Sequence, residues 1–185
     1  MLQSSKLIQG WCTDARHVIS SHKNERPNNE IRLLVIHNIS LPEGQFGTNC
    51  VEELFLGCLD CNADDSFASL EGLRVSSHFF IRRDGEMVQF VSCEERAWHA
   101  GVSQFNGEHN CNDFSIGIEL EGTDNSPFTE AQYKELINLT RQLMQSYPQI
   151  SIDNVVGHSD IAPGRKTDPG RYFDWQKYKQ ALLEG

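Results

Sequence analysis

The chain has 185 residues, 26 of them acidic and 16 basic, with a formal net charge of −10. This length suffices for one large domain with an ample core, and no second domain is expected. The acidic balance argues against nucleic acid and against an anionic membrane surface, since both would repel the protein. The N-terminus lacks the apolar run of a secretory signal, and no stretch approaches a membrane span, so we expect a cytoplasmic monomer.

The six cysteines are expected to be reduced thiols, because disulfides are rare in the cytoplasm. Cys58 and Cys61 have the spacing of half a structural zinc site. Cys93 and Cys111 lie too far apart in sequence to supply the second pair. We therefore interpret Cys58 and Cys61 as ordinary thiols in a loop.

The first clear strand pattern is an apolar run at residues 31–36, typical of a strand covered on both faces. His37 and Asn38 follow it directly. A short helix is predicted over about residues 49–56. Further along, the pair Asp84-Gly85 predicts a hairpin with a two-residue type I′ turn.

Residues 114–120 predict another strand, and Thr129 begins a helix because Gln132 completes a capping box with it. Asp174 is predicted to cap a last helix near the C-terminus. We therefore expect an α/β (α+β) fold, a single domain over residues 1–185 with a central mixed β-sheet flanked by helices.

The segment at residues 157–170, GHSDIAPGRKTDPG, is rich in proline and glycine, which oppose helix and central strand. It is predicted to be an ordered loop that presents His158 and Asp168. Together with His37 at the end of the first strand, these residues supply two imidazoles and a carboxylate, the ligands of a catalytic zinc ion. For either histidine alone, a structural role satisfied by neighbouring groups is the alternative.

Glu119 and Lys166 are the candidate catalytic side chains. Glu119 shares a strand face with Gly117, which leaves room near the sheet, so its carboxylate could take a proton from a zinc-activated water. The alternative, a solvated carboxylate, fits Glu121 better. Lys166 lies two residues before Asp168 and could stabilise an oxyanion, although a solvated loop lysine is equally consistent with the sequence.

Five ordered segments, LLVIHNIS, LRVSSHFFIRRDGEMVQFV, RAWHAGVS, CNDFSIGIELEG and GHSDIAPGRKTDPG, resemble a known family. This family comprises the zinc amidases that share a fold with peptidoglycan recognition proteins, in particular the N-acetyl-anhydromuramoyl-L-alanine amidases. The resemblance covers about residues 10–178. It implies that Zn²⁺ binds His37, His158 and Asp168, and that Glu119 and Lys166 are catalytic.

The resemblance also implies a substrate and a cleft. The substrates would be small anhydromuramyl peptides, cleaved in the cytoplasm between the lactyl group and L-Ala during cell-wall recycling, with an indirect influence on β-lactamase induction. Asn38 and Trp98 match positions that line the cleft, and Arg74 matches one that binds a carboxylate of the peptide. Where relatives carry a second substrate-binding arginine, this chain has Asn110, which weakens the expected peptide clamp.

Two other functions stay open. A non-catalytic module that binds peptidoglycan fragments is disfavoured by the complete ligand set. An amidase of intact murein acting outside the cytoplasm is disfavoured by the missing signal and the missing wall-binding domain. An unrelated metallopeptidase is disfavoured because the sequence lacks HExxH.

Overall fold

The computed structural model describes residues 7–184, so the ends of the predicted domain, residues 1–6 and 185, lie outside the described residues. The strands are β1 Leu7–Ile8, β2 Trp11–Cys12, β3 Arg16–His17, β4 Lys23–Glu25, β5 Leu33–Ile39, β6 Phe79–Ile81, β7 Met87–Gln89, β8 Glu95–Ala97, β9 Gln104–Phe105, β10 Glu108–His109, β11 Ser115–Glu121 and β12 Val155–Gly157. The α-helices are α1 Cys50–Leu56, α2 Glu130–Ser146, α3 His158–Ile161 and α4 Trp175–Leu183. No helix within residues 7–184 has both the length and the apolar character that crossing a membrane requires.

A mixed sheet with the strand order β12-β5-β11-β6-β7-β3 forms the centre of the fold. The strand β5 pairs in parallel with β11 on one side and with β12 on the other. The strand β11 also pairs in parallel with β6, whereas β6 and β7 are antiparallel. The predicted fold, one domain with a central mixed sheet flanked by helices, is confirmed.

Both faces of the sheet are covered, as the apolar run in β5 predicted. Leu34 and Ile36 lie in the core cluster formed with α2 and α4, while Leu33 and Val35 point into a second cluster with Phe114. All four β5 side chains are fully buried. Burial on alternate faces explains why the run is continuous rather than alternating.

The helix α2 begins with the predicted capping box. Thr129 Oγ1 accepts a hydrogen bond from the Gln132 N–H at 3.1 Å, and Gln132 Oε1 accepts one from the Thr129 N–H at 3.0 Å. The Gln132 amide also donates to the carbonyls of Ile81 and Glu121. The cap therefore satisfies free N–H groups of the helix and ties its start to the central sheet.

The turn at Asp84-Gly85 differs from the prediction. A type I′ turn needs positive φ at both central residues, but of this pair only Gly85 has it, at 92°. The Gly85 N–H donates to the Arg82 carbonyl, and the Arg82 N–H donates to the Glu86 carbonyl, both at 2.9 Å. The loop thus has three residues and ends in a left-handed glycine, because the register of β6 and β7 requires one more residue than a two-residue turn supplies.

The segment at residues 157–170 was predicted to be a loop throughout, but part of it has regular structure. Gly157 ends β12, and His158–Ile161 forms one helical turn. The prediction missed β12 because this strand is only 3 residues long, shorter than the apolar runs that indicate strands. The remainder of the segment is irregular, in agreement with its proline and glycine content.

Glu121 is also placed differently from its expected solvated position, because its side chain is buried. Its Oε1 accepts a hydrogen bond from the Gly47 N–H at 2.6 Å, and its Oε2 accepts one from the Arg83 N–H at 3.0 Å. The strand β11 lies between two other strands of a sheet covered on both faces, so its alternation does not define a solvent-exposed side.

Candidate functional site

Three neighbouring parallel strands bring the predicted site residues to one edge of the sheet. The register of β5 and β11 places His37 beside Glu119. On the other side of β5, Gly157 in β12 pairs with Ile36, and His158 follows directly. Parallel strands end at the same edge, where side chains from different strands can converge.

Backbone hydrogen bonds fold the loop after His158 back toward it. The Ser159 N–H donates to the carbonyl of Asp168 at 3.0 Å, and the Lys166 N–H donates to the carbonyl of Ala162 at 3.0 Å. These bonds return Asp168 to the start of α3, although it lies ten residues further along the chain.

Three side-chain atoms converge at this edge. The Nδ1 atom of His37 lies 3.0 Å from Nδ1 of His158 and 3.0 Å from Oδ2 of Asp168, and the latter two atoms are 3.1 Å apart. Both histidines are buried, at 1% and 4% exposure. Ligands about 2.0–2.1 Å from a shared tetrahedral zinc ion lie about 3.3 Å from one another. The separations therefore suit a metal ion, and the group could hold one.

The outer ring nitrogens support the same interpretation. His37 Nε2 lies 2.9 Å from Nδ1 of His99, and His158 Nε2 lies 3.0 Å from the carbonyl of Ala100. Burial lowers the pKa of His37 to about 4, so the ring is neutral near pH 7 and carries one proton. With protons on the outer nitrogens, the inner nitrogens and the Asp168 carboxylate present only lone pairs to one another. A cation among them removes that repulsion.

Glu119 lies at the side of this cluster. Its Oε1 is 3.9 Å from Nδ1 of His37, and its buried Oε2 has no hydrogen-bond partner among the described residues. Burial raises the pKa of Glu119 well above its ordinary value, and the charge of Asp168 raises it further. A carboxyl group with a raised pKa and a free oxygen is suited to taking and returning a proton.

A cavity of about 300 Å³ opens onto the cluster. The candidate residues Lys166, Asn38 and Trp98 line it together with Glu119 and the cluster of His37, His158 and Asp168. The Lys166 charge acts to lower the pKa of Glu119, so its ammonium group is close enough to affect charge in the cavity. Asn38 Nδ2 donates to Oδ1 of Asp124 at 2.7 Å.

Neighbouring side chains hold Trp98 in place. The indole N–H donates to Oδ1 of Asn24 at 2.7 Å, and the ring of His22 stacks on it with an interplanar angle of 7°. The Arg74 guanidinium lies 5.4 Å from the centre of the Trp98 ring. Arg74 itself lines an adjoining cavity rather than the one at the histidine–aspartate cluster.

Asn110 does not line the cavity at the histidine–aspartate cluster. Its backbone is left-handed, with φ at 60°, a conformation that asparagine tolerates better than most residues. The structure therefore gives Asn110 a local turn role.

Sequence reasoning missed the part that His99 and Ala100 play behind the two histidines. From the sequence, Trp98 was expected to line the cleft, but nothing indicated these contacts of the two residues that follow it. One available signal was Gly117, which was expected to leave room near the sheet. A Cβ atom on Gly117 would lie 2.5 Å from Cγ of His99, so the ring of His99 fills that room.

Several known proteins are similar to this chain in sequence and in structure. A family model described as N-acetylmuramoyl-L-alanine amidase matches residues 27–171. The 1,6-anhydro-N-acetylmuramyl-L-alanine amidase AmpD of Escherichia coli K12 is 55% identical over 174 residues, which cover 94% of this chain and 94% of that protein. A crystal structure of a selenomethionine AmpD derivative has a TM-score of 0.93 at 52% identity, covering 95% of this chain and 98% of the other.

A substrate complex is among the similar structures. The E. coli amidase AmiD, bound to anhydro-N-acetylmuramic acid-L-Ala-D-γ-Glu-L-Lys, has a TM-score of 0.60 at 33% identity and covers 97% of this chain and 66% of its own. The family match to residues 27–171 includes β5, β11, β12 and the loop that returns Asp168 to the cluster. The chain therefore belongs to the N-acetylmuramoyl-L-alanine amidase family.

Proposed function

We propose that this protein is a zinc-dependent amidase that hydrolyses the bond between the lactyl group of anhydro-N-acetylmuramic acid and L-Ala of a stem peptide. The observation that carries the proposal is the convergence of His37 Nδ1, His158 Nδ1 and Asp168 Oδ2 beside Glu119. The anhydro sugar enters the proposal through the similarity to AmpD and through the ligand of the AmiD complex.

The donor set of His37, His158 and Asp168 fits zinc. Two imidazole nitrogens and one carboxylate oxygen are typical zinc ligands, and three protein ligands leave a position for water or substrate. When bound, a zinc ion supplies polarisation of the scissile carbonyl and a lower pKa for a water molecule.

Glu119 would handle the proton in this reaction. The free Oε2 atom accepts a proton from the attacking water, and the raised pKa of the carboxyl group helps to retain it. The same proton then passes to the departing amine of L-Ala, which must be protonated to leave. Lys166 at the cavity wall would stabilise the negative oxygen formed at the attacked carbonyl.

The remaining predicted residues would orient the substrate. The fixed indole of Trp98 offers a flat surface for the sugar or the peptide. Asn38 lines the same cavity. Arg74 is exposed, its guanidinium lies 5.4 Å from the centre of the Trp98 ring, and it would bind a carboxylate of the stem peptide. With Asn110 at the position of a second arginine, we expect weaker binding of that peptide end than in relatives that carry both.

Mass spectrometry of products from anhydromuramyl-tripeptide tests the function. The proposal expects free tripeptide and anhydro-N-acetylmuramic acid, loss of both products with a chelator, and their return when zinc is added. Intact substrate after incubation with the zinc-loaded protein would support a binding module instead. Equal or faster release of peptide from intact sacculi would support an amidase of murein.

The cellular setting is part of the proposal. A role in cytoplasmic recycling of wall fragments, with indirect influence on β-lactamase induction, follows from the similarity to AmpD. Fractionation of the cells that produce the protein, followed by activity measurements on each fraction, checks the location. Activity confined to a fraction outside the cytoplasm would contradict it.

A further inference from the structure

One short segment contacts the outer nitrogen of both metal-binding histidines. The side chain of His99 meets Nε2 of His37 at 2.9 Å, and the carbonyl of the next residue, Ala100, meets Nε2 of His158 at 3.0 Å. The segment is itself fixed, because Oδ1 of Asn112 accepts hydrogen bonds from both backbone N–H groups, at 3.1 Å and 2.8 Å.

The ring of His99 is held from its other side as well. Its Nε2 lies 3.0 Å from Oγ of Ser115 at the start of β11. Two positions further along the strand, Gly117 leaves the space that the ring occupies, since a Cβ atom would lie 2.5 Å from its Cγ. Neighbouring imidazoles of His37 and His78 cross it edge-on, with ring centres 5.1 Å and 5.7 Å away. These contacts together fix the orientation of the His99 ring.

The hydrogen bonds allow one arrangement of protons when a metal binds. A neutral imidazole has one N–H, and a metal can bind Nδ1 of His37 only through its lone pair. The proton of His37 must then lie on Nε2 and be donated to Nδ1 of His99. The proton of His99 must lie on its own Nε2 and be donated to Ser115 Oγ.

We infer that His99 is a positioning residue for the metal site, which accepts the Nε2–H of His37 and so fixes that ligand's tautomer and ring plane. This inference rests on the proposed metal site and adds a residue that lines the same cavity but lies outside the group of three ligands. Together with the Ala100 carbonyl, His99 makes the segment after Trp98 a common brace for both imidazole ligands.

Paired substitutions at His99 test the hydrogen bond. His99→Leu keeps a branched side chain but removes the acceptor, whereas His99→Asn places an amide oxygen where Nδ1 stood. We expect His99→Leu to weaken zinc binding, measured by competition with a chromogenic chelator, by about 10- to 100-fold, the usual effect of losing such a partner. His99→Asn should recover most of that affinity. The same exchange at the exposed histidine of β10, His109→Leu, is the matched control.

Two further readouts separate positioning from loss of structure. In cobalt-loaded protein, His99→Leu should change the visible absorption bands, while His109→Leu should not. At saturating zinc, kcat should fall in His99→Leu with little change in KM, because His99 acts on the ring of His37; a rise in KM with unchanged kcat would assign His99 to substrate binding instead.

Nitrogen NMR of the zinc-loaded wild-type protein tests the inference even if the variants fold poorly. We expect His37 bound through Nδ1 and protonated on Nε2, and His99 protonated on Nε2 alone. A proton on Nδ1 of His99, or wild-type zinc affinity and cobalt spectrum in His99→Leu, would overturn the role of His99. Absence of zinc binding in the wild type would instead overturn the proposed function.

Discussion

Glu119 and Glu121 show how position on one strand separates two carboxyl groups. Both oxygens of Glu121 accept backbone N–H groups, from Gly47 and Arg83. Glu119 is also buried, yet its Oε2 has no hydrogen-bond partner among residues 7–184, and its Oε1 lies 3.9 Å from Nδ1 of His37. Glu121 therefore fastens loops to the sheet, while Glu119 has an unbonded oxygen, as its proposed role in proton transfer requires.

Glu119→Gln tests that assignment. The amide has nearly the same shape but cannot accept a proton, so kcat should fall by about 10²- to 10⁴-fold. Stoichiometric zinc should remain, because Glu119 is not in the ligand group. The matched control is Glu130→Gln on the exposed start of α2. Near-normal turnover by Glu119→Gln, measured on the anhydromuramyl tripeptide, would sink its role as the base.

Lys166→Met tests charge stabilisation in the cavity. The substitution keeps a long side chain without the ammonium group, and we expect kcat to fall by about 10²- to 10³-fold, the effect of losing one oxyanion donor. KM should change little if the charge acts mainly on the transition state. Lys134→Met, on the exposed side of α2, controls for the loss of one charge. A rise in KM with unchanged kcat would assign Lys166 to substrate binding instead.

We expect His78 to make the stability of the fold depend on pH. Its Nε2 bonds the carbonyl of Glu95, its Nδ1 accepts the Gly117 N–H, and burial with Arg26 nearby lowers its pKa from 6.5 to about 3. The folded protein keeps His78 neutral, while the unfolded chain binds a proton below about pH 6.5. The stabilisation is therefore complete above pH 6.5 and is lost as the pH falls toward 3.

Urea unfolding of wild type and His78→Asn at pH 7 and pH 5 measures this effect. Between these values, His78 should remove about 2 kcal/mol from the wild-type free energy of unfolding. The variant should lose correspondingly less, because its amide does not titrate. Parallel pH profiles for the two proteins would show that His78 is charged in the folded state.

The short strand β12 and the loop after it were the hardest elements to predict. The candidate ligands His158 and Asp168 were recognisable from residue type, but the path of the loop depends on contacts between residues distant in sequence. Gly157, for example, has an ordinary φ of −88°, so no backbone constraint marks it. Glycine is required at position 157 by lack of space, because a Cβ atom there would lie 2.8 Å from Cδ of Pro169.

Gly157→Ala tests how closely that loop is packed. The added methyl should push Pro169 and the adjacent Asp168 outward, costing about 1–3 kcal/mol of stability as an overpacked site does. Zinc affinity should fall at the same time. In Gly164→Ala, the control in the same loop, the new methyl meets open space, so zinc affinity should hold even if the left-handed backbone is strained. Equal zinc affinities in both variants would contradict the close fit.

Across the whole molecule, local patterns predicted the elements but not their mutual placement. The capping box at Thr129 and Gln132 and the buried run of β5 depend on neighbours in sequence, so they were predictable. The side-by-side position of His37 and Glu119 depends on the parallel register of β5 and β11, which no local pattern fixes. The family resemblance indicated that His37, His158, Asp168 and Glu119 belong to one site, but it gave no reason to consider His99.

We propose that His37, His158 and Asp168 hold one zinc ion. X-ray diffraction from crystals grown with zinc, collected on both sides of the zinc absorption edge, shows whether the ion is bound there. We predict one strong anomalous peak about 2.0–2.2 Å from Nδ1 of His37, Nδ1 of His158 and Oδ2 of Asp168. An anomalous peak at other residues, or no peak between these three atoms at saturating zinc, would contradict the account.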